Sequence, residues 1–162
     1  MGARNYQDRR GGYDERSSKP PFVPPSNEEI QQIIVRGDVE KLVEWADRTG
    51  KALKDQNLAA NQIRNVFGTV RQIQMRWPSA PEQSYREAVL LRPKLAYFAT
   101  REKKAKGRGS DGMETLQKVL EPALLLLSQS GLILEEKHQR FERFVEFFEA
   151  IVAYHKKHGG KE

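Results

Sequence analysis

Between Leu58 and Trp77 the apolar residues Ile63, Val66, Phe67, Val70, Ile73 and Trp77 recur at i, i+3, i+4 and i+7 spacing. That period matches the 3.6-residue turn of an α-helix, so the segment reads as an amphipathic helix with one buried stripe. A second run of the same kind predicts a last helix from about Glu135 to Lys157, burying Phe141, Phe144, Val145, Phe148, Ile151 and Val152. No stretch alternates apolar and polar residues as a half-buried strand does, and no hairpin turn is visible. These patterns predict an all-α fold, a compact bundle of about five to six helices.

Local signals divide the rest of the chain. Ser26-Asn27-Glu28-Glu29 is a capping box, opening a short helix with Ile30, Ile33 and Ile34 that stops near Gly37. Asp38 caps the next helix, which turns Leu42, Val43, Trp45 and Ala46 inward and runs to about Gly50 or just beyond. Pro78 and Pro81 break the chain after Trp77. A helix from about Glu82 to Leu91 follows, and Pro93 suits the first position of a separate helix reaching about Lys103. Lys106 to Gly112 reads as a loop. Asp111 to Glu114 then caps a helix with Leu116, Val119 and Leu120, kinked at Pro122. Residues 1–25 are rich in Arg, Gly, Ser and Pro and read as a disordered arm, with residues 26–158 as the helical-bundle domain.

Several classes of function lose support at this level. Cysteine is absent from the 162 residues, which removes disulfides, thiolate nucleophiles and Cys-based metal sites and suits a reducing cytoplasm. The longest apolar run, Ala123 to Leu127, is far short of the ~18 residues of a membrane span. The first residues carry no apolar leader, so the chain is expected to be cytoplasmic. His138, His155 and His158 fall in or after the last helix without an H-E-x-x-H pattern, and are expected as solvated side chains. Ser110 and Ser128 have no neighbouring base in sequence. Gly107, Gly109 and Gly112 spell G-x-G-x-x-G, but a Lys-rich helix precedes them where a dinucleotide site needs a strand. No catalytic residue, metal or cofactor is expected.

The charge distribution points to a partner. Net charge is +6, yet residues 56–108 alone carry eleven basic and three acidic groups, a local excess of +8. Such polarisation attracts polyanions and steers their approach. The helix from Leu58 to Trp77 has no acidic residue, and Arg64, Arg71 and Arg76 project from it. Arg64, Gly68 and Arg71 share one face, with the two guanidinium-bearing positions ~10 Å apart along the axis. The missing side chain at Gly68 lets a backbone or phosphate come close. Further on, Lys94, Tyr97, Arg101 and Lys104 fall at i, i+3, i+7 and i+10, with Leu95, Phe98 and Ala99 inward. Cations at that spacing can track the phosphates of a single strand while an aromatic ring stacks on a base. Half-buried packing is the other reading of Tyr97. Lys103 adds charge beside Lys104. Nothing resembles a helix-turn-helix recognition helix or an RNP motif, so sequence-specific readout is not indicated.

The string Leu91-Arg92-Pro93-Lys94-Leu95-Ala96-Tyr97, followed by Arg101, resembles the most recognisable motif of the small subunit of the type III-A CRISPR–Cas effector, the Csm complex. Gln62-Ile63-Arg64 is similar to that family's other marked helix, and Phe141 to His155 resembles its C-terminal helix. The resemblance covers about residues 57–156, while the arm and the Gly107–Gly112 loop look like additions. It implies a non-catalytic subunit stacked as a filament beside the backbone subunits that hold the guide RNA. Its partners would be single-stranded RNA or the guide–target duplex, other copies of itself, and the large polymerase-like subunit. Carried over by position, the RNA-binding residues are Arg64, Arg92, Lys94, Tyr97 and Arg101. Arg71, Lys103 and Lys104 come from the charge pattern alone. Arg92 has a structural alternative, capping the carbonyls of the helix before Pro93. Two other functions fit the residues: an architectural helical subunit whose basic face meets acidic protein neighbours, and a helical DNA-binding regulator.

Overall fold

The computed structural model describes residues 21–106 and 111–160, apart from the side chains of residues 103–106. The expectations for residues 1–20, for residues 107–110 and for the side chains of Lys103 and Lys104 therefore lie outside it. Among the described residues six α-helices follow one another: α1 Asn27–Ile34, α2 Val39–Asp55, α3 Ala60–Arg76, α4 Pro81–Lys106, α5 Gly112–Leu125 and α6 Leu134–Lys157. A 3-10 turn, Leu126–Ser128, extends α5, and the described residues contain no strand. The fold is all-α, as the apolar periodicity requires.

The N-terminal capping box forms as the sequence dictates. Glu29 N donates to Ser26 Oγ at 3.2 Å, and Ser26 N donates to Glu29 Oε1 at 3.1 Å. Glu29 also accepts from Trp45 Nε1 at 2.6 Å, so the cap of α1 is tied to the middle of α2. These bonds stabilise the ionised carboxylate, the backbone donor at Ser26 foremost, and hold its pKa below the usual 4.5. The far end of α1 is capped across the fold, where Arg143 Nη1 donates to Val35 O at 2.6 Å and to Ile34 O at 3.2 Å. Just before α1, Phe22 packs on the core and Pro25 is buried, so the arm's last residues lie on the bundle.

Helix α6 organises the core, because it contacts all five other helices. Phe141, Phe144, Phe147, Phe148 and Ile151 are fully buried along it. Its apolar face is broad, while Glu135, Gln139, Glu146 and Glu149 keep the other side in solvent. Its tightest crossing is with α2 at Gly50, where an added Cβ would stand 2.7 Å from His155 N and 2.7 Å from Tyr154 Cβ. Glycine is required there by close approach of two backbones.

Four expectations change. Val43 is exposed on α2, while Leu42, Trp45 and Ala46 are buried as read. Helix α4 runs unbroken through Pro93, where the sequence suggested two helices. Ser84, Ala88, Leu91, Leu95, Ala99 and Glu102 make one buried stripe across the proline, whose ring faces solvent, so packing on both sides overrides the local break. Pro122, read as a kink, lies inside α5, which continues to Leu125. His155 is buried, not solvated: its Nε2 lies 2.8 Å from Leu58 O, satisfying a carbonyl between α2 and α3. Gly112, the last glycine of the G-x-G-x-x-G string, is buried against Leu58, whose Cβ lies 2.7 Å from where a Cβ on Gly112 would sit. Its smallness serves packing.

Candidate nucleic-acid interface

Helices α3 and α4 lie side by side, joined by the turn at Trp77–Ala80 and by an ion pair of 2.7 Å between Arg76 and Glu87. The stripe of α3 that begins with Ile63 and ends at Trp77 is buried. Arg64, Gly68 and Arg71 are exposed on the opposite side, as their spacing requires. Nothing lies within 4 Å of a Cβ built on Gly68, so internal packing gives no reason for glycine at this position. Arg71 leans toward α6: its Nη1 donates to Gln74 Oε1 at 2.8 Å, and Gln74 Nε2 donates to Glu142 Oε2 at 2.8 Å.

On α4, Lys94, Tyr97 and Arg101 are exposed in one row. Tyr97 has 61% of its surface open and tilts against Phe98, with ring centroids 5.8 Å apart. Its ring is therefore presented to solvent. Among the described residues neither Lys94 nor Arg101 makes an ion pair, which leaves both charges facing outward. Arg92 is placed differently. Two residues before Lys94, it points about 160° away around the helix, and its Nη2 meets Glu121 of α5 at 3.7 Å. Because α4 does not end at Pro93, there is no helix end for Arg92 to cap, and its guanidinium reaches across to α5 instead. The structure thus brings together Arg64 with Arg71 on α3 and Lys94 with Tyr97 and Arg101 on α4, and sets Arg92 apart.

Between the two helices, and closed at one end by the start of α5, lies a half-open cavity of about 540 Å3. Asn65 and Thr69 line it from α3, Phe98, Arg101 and Glu102 from α4, and Met113 from α5. Sequence reading overlooked this groove. Asn65 and Thr69 sit between the apolar stripe and the basic face of α3, but only the packing of α4 turns them into a wall. Among the described residues no group of three His, Cys, Asp or Glu side chains is placed to hold a metal ion. No described helix is long and apolar enough to cross a membrane.

Residues 36–161, most of the chain, match the protein-family model described as Csm2 Type III-A. No curated protein and no solved structure matches the chain.

Proposed function

The chain belongs to the Csm2 family of type III-A, and from that membership we propose that it is the non-catalytic small subunit of an RNA-guided effector complex in antiviral defence. It works in the cytoplasm, stacks with copies of itself, and lies against the backbone subunits and the large polymerase-like subunit. Its bundle, residues 26–158, presents α3 and α4 to the guide or target RNA. Arg64, Arg71, Lys94 and Arg101, with Lys103 and Lys104, follow phosphates; Tyr97 stacks on a base without reading it. Arg92 holds α4 in place for that contact.

The observation that carries the reading is the exposed row on α4, two outward cations flanking an open tyrosine ring. A strand bound through phosphates and ring faces is held irrespective of sequence. Each phosphate contact releases a counterion, so affinity must fall with salt by a slope of about −0.7 per contact on a single strand. Fluorescent single-stranded RNA titrated at several salt concentrations tests this. Sequence-independent binding that weakens steeply with salt is the expected result. No binding at low salt points to an architectural subunit, and preference for one duplex sequence to a DNA-binding regulator. Arg64→Glu combined with Arg101→Glu lowers RNA affinity while helicity and melting stay unchanged. If that double variant binds as tightly as the parent, the face is wrong.

A further inference from the structure

Phosphate tracking uses the outer row of α4 and leaves the groove beside it without a role. That groove has a distinct chemistry. Its volume of about 540 Å3 falls inside the range of about 300–1,000 Å3 typical of small-molecule sites. Phe98 offers an aromatic wall. Asn65 and Thr69 each carry side-chain groups that both donate and accept. The Thr69 hydroxyl makes only a long bond, 3.4 Å to Asn65 O, that a better acceptor can replace. Glu102, 5% exposed, lines the groove with a carboxylate, which accepts hydrogen bonds and gives none when ionised.

We propose that this groove receives one unstacked nucleobase from the RNA strand whose phosphates ride on Lys94 and Arg101. The inference rests on the RNA-binding reading above. Arg101 belongs both to the basic row and to the groove lining, so a strand on that row passes the opening. A base in the groove stacks on Phe98 and directs its ring or amino N–H toward Glu102. An amide that can turn over and a hydroxyl that can rotate accommodate any base edge, which keeps the site indifferent to sequence. Splayed bases held on aromatic walls are the usual way proteins grip single-stranded RNA.

The full chain is titrated with a base-bearing oligoribonucleotide and with an abasic ribose-phosphate oligomer of equal length. The parent is expected to favour the base-bearing strand by at least about fivefold, the low end of what one stacked base supplies. Asn65→Leu with Thr69→Leu narrows the groove and removes two of its polar side chains at helix positions that favour leucine. In that variant the preference falls by at least about threefold, while affinity for the abasic strand is unchanged. As a readout that needs no variant, photo-crosslinking of 4-thiouridine RNA to the parent is expected to label the peptides holding Phe98 or Met113. Equal affinity for both strands, full preference in the narrowed variant, or crosslinks at Tyr97 alone overturns the groove assignment while backbone binding stands. Failure of the parent to bind either strand overturns both readings.

Discussion

Gly68 sits in the middle of α3, exposed, with a right-handed helix on either side and nothing within 4 Å of a built Cβ. Glycine there costs the helix about 0.8–1.0 kcal/mol relative to alanine, because the unfolded chain has more freedom to lose. Gly68→Ala is therefore expected to stabilise the isolated protein by about 0.5–1 kcal/mol. For a domain of this size each kcal/mol moves Tm by about 2–4 °C, so calorimetry should show a rise of about 1–4 °C. Gly50→Ala provides the opposite case, since its Cβ would press on His155 N and Tyr154 Cβ at 2.7 Å. Overpacking of that kind costs about 1–3 kcal/mol and lowers Tm by several degrees. A fall in Tm for Gly68→Ala, or none for Gly50→Ala, refutes this account of the two helix surfaces. The same variant tests function. If the open site exists so that RNA or a neighbouring subunit can come close, the more stable Gly68→Ala protein binds RNA or assembles less well. Higher Tm with unchanged RNA affinity and unchanged assembly refutes a binding role for Gly68.

Two further outcomes follow from the caps of α1. Arg143→Met leaves Ile34 O and Val35 O without their donor; urea unfolding should register a loss of about 1–3 kcal/mol, and an unchanged midpoint would show that water replaces the guanidinium freely. Glu29 has a folded-state pKa below its ordinary 4.5, so its contribution is complete above that value and disappears as pH falls through the lower folded value. Glu29→Gln is thus expected to destabilise the protein near neutrality, and the gap to the parent should narrow in melts taken progressively below pH 4.5. A gap independent of pH would place the effect in shape and not in charge.

The helices were legible in the sequence wherever burial is one-sided, because a stripe such as Ile63 to Trp77 fixes both the element and its buried face. The capping box of α1 was legible too, since Ser26 and Glu29 act within one turn; Asp111, read as a cap for α5, makes no side-chain cap bond. What local signals could not convey was tertiary. Pro93 obeys a local rule in isolation, yet the stripe from Ser84 to Glu102 extends across it and holds α4 whole. His155 lies near a helix end and reads as solvated, but its partner is Leu58 O, 97 residues away. Of the candidate site, the two exposed rows followed from spacing alone. The orientation of Arg92 toward Glu121 and the groove between Asn65 and Phe98 did not, because each is made by a different helix arriving beside the first. The motifs that suggested the family lie within the matched span, residues 36–161.

The central position of α6 bears on how the chain reaches its folded state. Helices α1 to α5 all rest on α6, which follows them in sequence. Until Phe141 to Ile151 have left the ribosome, the earlier helices lack the surface that all of them touch. Domains commonly fold as units from the N-terminal side during synthesis, but this one has no N-terminal part with a complete core of its own. Its earlier helices touch one another, α4 and α5 most extensively, but the core they share is complete only once the last helix has arrived.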